Sequence, residues 1–217
     1  MGFEAALEIT PAPPFGALPT FRSKQPAVVP TLEQHECDSA QRAELEEFVR
    51  REFLAHFGAR VKHFMPKLLA LRGTDGAVRA VVGCRAAAAE PLFLETYTRM
   101  PIEAAIAERT GLRVPRERIV EIGSLACRSA TAAVAIVRAL VPHLLEAEFT
   151  WVVFTGADTV MNVFRYLGLA PRSLCAADPL LLGNARHEWG SYYDHHPQVM
   201  AGRIQDGLRA SRRKLAP

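Results

Sequence analysis

The sequence predicts an α/β protein whose mixed β-sheet carries helices on both faces. Two patterns indicate this class: a pair of apolar runs around a short loop at residues 67–85, and a strand–helix–strand–helix succession over residues 118–167. A helix that joins two parallel strands packs back onto their sheet, so the second pattern predicts a parallel crossover. The composition, 49% hydrophobic but only 8% aromatic, supports a sizeable aliphatic core and excludes intrinsic disorder.

The first third of the chain is predicted to contribute an arm, a helix and a hairpin. Six prolines disfavour regular structure in residues 1–30, which we expect to form an extended arm. From about Asp38 to Gly58, apolar residues recur at helical spacing and charged residues occupy the other face. Lys67–Arg72 and Ala77–Arg85 flank a Gly/Asp loop, a pattern typical of a β-hairpin.

The remainder of the chain is predicted to build the centre of the sheet. The expected elements are a short helix at Pro101–Thr110, a strand at Arg118–Cys127, a helix at Ala130–Glu148, a strand at Thr150–Thr155, a helix at Thr159–Leu167, short strands, and a last helix near residues 205–214. The helix from Ala130 is apolar on nearly all sides, so we expect it to be largely buried. Residues 31–217 should therefore form a single domain.

Charge and cysteine content narrow the functional classes. The net charge of +3, from 26 basic and 23 acidic residues, gives no indication of a nucleic-acid partner. The four cysteines are isolated and lack CxxC spacing, so neither a metal site nor a disulfide framework is predicted. Without a signal-peptide pattern or an apolar run of about 18 residues, we expect a cytoplasmic protein with no transmembrane span.

The junction between the strand at Arg118–Cys127 and the following helix is the first candidate site. Unpaired N–H groups at a helix start attract phosphates, and small side chains permit close approach. Small residues at this place also let a helix pack tightly on a sheet, so both interpretations stay open. The candidate diphosphate-binding residues are Arg128, Ser129, Ala130, Thr131, Ala132 and Ala133.

Residues 128–133 resemble the [QR]-x-x-G-x-[GA] pyrophosphate loop of the GNAT acyltransferase superfamily, with Thr131 where glycine is usual. Residues 164–169, FRYLGL, resemble the later Y-x-x-L-G-F signature, with Phe164 where the superfamily often has a tyrosine that protonates the leaving thiolate. The resemblance implies a GNAT-like fold, with a mostly antiparallel sheet around a central parallel βαβ crossover.

A closer resemblance, to the thermostable hemolysin family, covers residues 63–207. The segments that carry it are HFMP at 63–66, LFLETY at 92–97, EIGSLA at 121–126, WVVFT at 151–155, ADP at 177–179 and WGSYY at 189–193. This family is similar to the acyl-homoserine-lactone synthases. The resemblance implies an acyl donor carried on coenzyme A or acyl carrier protein, and a small-molecule amine as acceptor.

Two carboxylates are the candidate catalytic residues, because acyl transfer requires an amine to lose a proton. Glu121, early in its strand, is expected to act as base or to orient the amine, or else to pair with Arg118 or Arg128. Glu95 lies in an apolar run, where a carboxylate needs a partner. It is expected to bind the acceptor amine, or to pair with Arg85 or Arg99 as the alternative.

Four further residues are candidate substrate-binding residues: Tyr97, Ser124, Trp189 and Tyr192. The aromatic ones can form a wall for an acyl chain, or can simply pack. No serine-hydrolase elbow occurs, and His195 and His196 lack helical ligand spacing. The rival functions are a membrane-active or lipid-binding protein, after the family name, and a non-catalytic relative of the fold. A homodimer embraced by the proline-rich arm also stays open.

Overall fold

The computed structural model describes residues 32–215, with side chains through Arg209, so the predicted arm at 1–30 lies outside the described residues. The strands are β1 (Glu33–His35), β2 (Lys67–Arg72), β3 (Val78–Ala86), β4 (Ile119–Cys127), β5 (Trp151–Gly156), β6 (Arg172–Ala176) and β7 (Gln198–Arg203). The helices are α1 (Arg42–Phe57), α2 (Glu95–Thr98), α3 (Ile102–Thr110), α4 (Ala130–Glu146), α5 (Asp158–Leu167) and α6 (Ile204–Leu215).

The seven strands form one mixed sheet in the order β1-β2-β3-β4-β5-β7-β6. The pair β4–β5 is parallel and connected through α4, whereas each of the other neighbouring pairs is antiparallel. This arrangement confirms the predicted mixed sheet, its mostly antiparallel character and its central βαβ crossover. The hairpin β2–β3 is also confirmed.

The sequence did not predict two of the elements. The short edge strand β1 pairs with β2 although its three residues are polar. The helical turn α2 lies within an apolar run that shows no helical periodicity. The formation of this turn depends on tertiary contacts. Helix α1 begins at Arg42 rather than near Asp38, and the Arg42 guanidinium donates to the backbone carbonyls of Met65 and Pro66.

The sheet is covered on both faces, as predicted. One face packs against α4, which has nine buried residues, seven of them in one core cluster with residues of β2, β3, β4 and β5. The other face packs against α1 at the β2–β3 end and against α2 and α3 further along. The sheet therefore divides the core into an α4 side and an α1 side.

The two central strands separate partway along their length. Strand β4 pairs with β5 only from Ile119 to Ile122, opposite Trp151–Phe154, and then continues to Cys127 paired with β3 alone. Its pairing with β3 is also irregular, because the register shifts by one residue between the partners of Val81 and Gly83. Ser124, within this bulge, has a φ of 50°, in the left-handed region. The bulge turns β4 away from β5 and leaves a gap in the sheet.

The segment before β7 packs against the end of α1. It forms 3₁₀ turns at Pro179–Trp189 and Tyr192–His195, and Ser191 donates its backbone N–H and its hydroxyl to the carbonyl of Phe57. Gly190 lies at this contact with φ 52° and ψ −130°, and a Cβ there would overlap the Phe57 carbonyl oxygen. Glycine is required here by both backbone conformation and space.

Replacing Gly190 with alanine is expected to detach this segment from α1. Gly183 is a matched control, since it has nearly the same φ and ψ (56° and −130°) but open space where an added Cβ would lie. Gly183→Ala should cost about 1–3 kcal/mol of unfolding free energy from backbone strain, and Gly190→Ala about 1–3 kcal/mol beyond that from overlap. Urea denaturation measures both, and equal losses would contradict the packing argument.

Candidate active site

One cavity of about 320 Å³ joins the two sides of the sheet. On the α1 side its wall includes Phe57, Phe93 and Trp189, and on the α4 side Val137 and Leu144. Residues 121–125 of β4 and Phe154 and Thr155 of β5 line the part between them. The cavity therefore follows the gap that opens where β4 leaves β5. Its walls are mostly aromatic on the first side and aliphatic on the second.

Glu121 is a buried carboxylate at the edge of this gap, with 2% of its surface exposed. Its two oxygens accept hydrogen bonds from the backbone N–H groups of Leu94 (3.0 Å) and Phe93 (3.1 Å). Burial raises the pKa of Glu121, and these two hydrogen bonds oppose the rise without cancelling it. A carboxylate with a raised pKa that lines a cavity is suited to accept a proton from a substrate.

Arg85 is the ion-pair partner of Glu121. Its Nη1 lies 3.7 Å from Glu121 Oε2, and its Nε lies 3.1 Å from Glu90 Oε1. The prediction that Glu121 would pair with Arg118 or Arg128 is therefore wrong. Arg85 lies directly opposite Glu121 in the β3–β4 pair. Arg85 also lines the cavity, so a guanidinium and a carboxylate adjoin the same space.

Glu95, the second candidate carboxylate, has a bidentate ion pair with Arg116, with Nη1–Oε1 2.6 Å and Nη2–Oε2 3.0 Å. It also accepts the backbone N–H groups of Leu92 (2.9 Å) and Ile102 (2.8 Å). Burial raises its pKa, but these hydrogen bonds outweigh burial and the pKa of Glu95 lies below its ordinary value. The prediction that Glu95 would pair with Arg85 or Arg99 is thus wrong. Glu95 is absent from the cavity wall and fixes the turn that presents Phe93 and Leu94 to Glu121.

The aromatic wall brings together three of the four candidate substrate-binding residues. The ring centroids of Trp189 and Tyr192 lie 5.6 Å apart. Tyr97 is connected to these rings through Phe93, which contacts both Tyr97 and Trp189, and through Tyr193, which contacts Trp189. The Tyr192 hydroxyl donates to the backbone carbonyl of Thr155 (3.3 Å), at the gap in the sheet. Ser124, the fourth candidate, lines the cavity from the β4 bulge.

The start of α4 retains free donors but is partly capped from within. The Ser129 hydroxyl accepts the N–H of Ala132 (3.2 Å), and the Ser129 carbonyl accepts the N–H of Ala133 (3.0 Å). Thr131 and Arg128 are exposed there, and the Arg128 guanidinium lies 5.7 Å from the centre of the Phe48 ring. Ala130 and Ala132 are buried, and Ala132 belongs to the core cluster beside the sheet, so the packing use of these small residues applies, and their use in phosphate binding stays a prediction.

Among the cavity residues, Arg85 and Phe93 were not selected from the sequence as site residues, and Tyr193 was considered only as part of the aromatic group at 189–193. Arg85 was considered only as a partner for Glu95. The spacing of WGSYY gave a signal for Tyr193, because adjacent aromatics in an irregular segment can both face one cavity. Phe164, at the position where the GNAT superfamily often has tyrosine, packs on Phe154 with ring centroids 4.9 Å apart.

Comparison with family models matches residues 35–208 to the model described as thermostable hemolysin. Among solved structures, BjaI with MTA, a CoA-dependent acyl-homoserine lactone synthase, has a TM-score of 0.57 at 11% identity, over 85% of this chain and 89% of that one. FeeM, an N-acyl amino acid synthase from uncultured soil microbes, has 0.56 at 12% identity, over 82% and 99%.

TofI, in a ternary complex with an inhibitor and MTA, has a TM-score of 0.56 at 12% identity, over 86% of this chain and 100% of that one. No curated protein matches the chain. At these identities the likeness concerns the fold, and it confirms the GNAT-like sheet expected from the sequence.

In the described part of the chain, no helix is both long and apolar enough to cross a membrane. Residues 32–215 also contain no group of three His, Cys, Asp or Glu arranged to hold a metal ion.

Glu95→Gln is expected to lower the unfolding free energy by about 2 kcal/mol at neutral pH, because it weakens charge-assisted hydrogen bonds. Since the folded-state pKa of Glu95 lies below the unfolded value of about 4.3, its contribution is complete above that value. The contribution is lost as pH falls through the folded-state pKa. Urea denaturation of both proteins should therefore give a difference that shrinks in acid.

The matched control is Glu103→Gln, which removes the other, more exposed carboxylate bound to Arg116 (2.7 Å) and should cost less than about 1 kcal/mol. A stable Glu95→Gln protein would contradict the structural role.

Proposed function

The chain belongs to the thermostable hemolysin family, and from this premise we propose that it is an N-acyltransferase. It would move an acyl group from the thioester of coenzyme A or acyl carrier protein to an amine. The observation that carries the proposal is the single cavity that joins the buried carboxylate of Glu121 to an aliphatic channel through the sheet. Acyl transfer needs both parts, a base for the amine and a dry space for the acyl chain.

The acyl donor would enter where β4 and β5 separate. Backbone groups in this stretch lack a β5 partner beyond Ile122, and a pantetheine arm carries amides that can bond to them. The candidate residues 128–133 lie at the end of β4, so the donor's phosphates would meet the free N–H groups at the start of α4. Two solved structures of similar fold are CoA-dependent acyl-homoserine lactone synthases, which supports coenzyme A as a donor.

Glu121 would take the proton from the amine. The amine nitrogen attacks the thioester carbonyl, the carbon–sulfur bond breaks, and the electron pair leaves on sulfur as a thiolate. The raised pKa of Glu121 makes it a stronger base than an ordinary carboxylate. Arg85 beside it would keep the carboxylate oriented toward the cavity. Glu95 would act through the turn that it fixes rather than on the substrate.

The acceptor would be a small molecule with an amino group. Acyl-homoserine lactone synthases and an N-acyl amino acid synthase share the fold, and one of those structures contains SAM. The aromatic wall of Phe93, Trp189 and Tyr192 can stack on such a molecule, and Arg85 can neutralise a carboxylate on it. An acceptor with an α-amino carboxylate matches these groups best.

The proposal is tested by release of thiol. The purified protein, given decanoyl-CoA or decanoyl acyl carrier protein with amino acids or SAM, should release free thiol and an acylated product visible by mass spectrometry. Glu121→Gln should lower kcat by about 100-fold or more while changing the donor's effect on melting temperature little.

Glu90→Gln is the control for this test, because it removes an exposed carboxylate that forms an ion pair with the same Arg85. Absence of product with every donor and acceptor, together with dye release from liposomes by the protein alone, would replace the proposal with the membrane-active function that the family description suggests. Donor binding without turnover would indicate that the protein is a non-catalytic relative of the fold.

The channel predicts a preference for long acyl chains. Its wall includes α4 residues from Ile136 to Leu144, which span about 12 Å. Each buried methylene adds about 0.8 kcal/mol, so kcat/KM should rise about fourfold per methylene until the channel is full. Val141→Phe narrows the channel and should lower the ratio of kcat/KM for decanoyl-CoA to that for acetyl-CoA.

Val141→Ala is the opposite change at the same position and should keep or raise this ratio. A ratio within one variant is independent of how much of the protein is folded. Equal ratios in both variants and the wild type would show that the acyl chain lies elsewhere.

A further inference from the structure

Two tyrosine hydroxyls of the cavity wall form a pair. Tyr97 Oη and Tyr193 Oη lie 2.5 Å apart, although 96 residues separate them in sequence. Both residues line the cavity, and the Tyr193 ring packs edge-on against Tyr192 and Trp189. The pair thus joins the α2 turn to the segment that packs on α1.

One of the two hydroxyl protons of this pair has no acceptor within the pair. Two hydroxyls carry two protons, and one hydrogen bond between them uses only one. Within residues 32–215, neither hydroxyl has another hydrogen-bond partner. Tyr97 is 5% exposed, so an O–H of its own without an acceptor would be costly. The arrangement of lower free energy therefore has Tyr97 donating to Tyr193, whose own O–H then points at the cavity.

The surroundings keep both phenols protonated. Burial raises the pKa of Tyr97 and that of Tyr193. The negative charge of Glu121 also raises the pKa of Tyr97, and Glu121, Tyr97 and Tyr193 line the same cavity. A neutral hydroxyl with a free proton is a hydrogen-bond donor held ready in a mostly apolar space.

We propose that Tyr193 is a catalytic residue that donates a hydrogen bond to the carbonyl oxygen of the acyl group, and that Tyr97 is its positioning residue. The inference rests on the proposed acyl transfer. When the amine attacks, the carbonyl π electrons move to oxygen, and Tyr193 stabilises that charge without transferring its proton. The oxyanion then collapses, the carbon–sulfur bond breaks, and the amine proton passes through Glu121 to solvent.

The test compares Tyr193→Phe, Tyr97→Phe and the double variant, with decanoyl-CoA and whichever amine supports turnover by the wild type. Tyr193→Phe should lower kcat by about 100-fold with little change in KM, as for loss of one oxyanion donor. Tyr97→Phe should lower kcat less, by about tenfold, because the donor remains but loses its orientation. The double variant should match Tyr193→Phe within about threefold, since Tyr97 acts through Tyr193.

Tyr166→Phe is the control, because it deletes a phenol oxygen from α5, outside the cavity wall. Melting temperatures of all variants separate loss of fold from loss of chemistry. A kcat for Tyr193→Phe within twofold of the wild type, or an effect confined to KM, would overturn the catalytic role. A double variant whose loss equals the product of the two single losses would overturn the positioning role. Failure of the proposed function itself is read from the wild type alone, as absence of any acylated product.

Discussion

Hydrogen bonding between β4 and β5 stops after Ile122 and Phe154, and the site depends on that break. A central strand that leaves its neighbour exposes backbone donors and acceptors inside the protein, and such groups need partners. Tyr192 satisfies one of them, the carbonyl of Thr155. The bulge at Ser124 holds β4 apart from β5, so the gap is built into the backbone. A ligand with amide groups can complete the hydrogen bonding that the strands leave unfinished.

The burial of Glu121 at the edge of this gap explains several features that look unrelated in sequence. Its carboxylate requires donors, which come from the N–H groups of Phe93 and Leu94. Those groups are in place because Glu95 and Arg116 fix the turn that carries them. The same turn brings Tyr97 toward Tyr193. One buried carboxylate is thus supported by a second, and the second shapes the wall that faces the substrate.

Regular elements were predictable from the sequence because their signals are local. The helix from Ala130 and the strands beside it follow from apolar periodicity, and Glu121 was selected because it precedes a loop of small residues. The ion-pair partners were predicted wrongly, since Arg85 and Arg116 meet their carboxylates across strands and turns. The turn α2 has no periodic signal and exists through those long-range bonds. The Tyr97–Tyr193 pair likewise requires the folded chain.

The family description and the proposed reaction become compatible through the chemistry of the product. An amine acylated with a chain that fills the channel has a polar head and an apolar tail, so it is an amphiphile. Each methylene contributes about 0.8 kcal/mol to partition into a membrane, and a long single chain binds reversibly. A protein that makes such molecules can be associated with lysis without inserting into a bilayer. The same apolar surface that selects a long acyl chain would then determine how strongly the product acts on membranes.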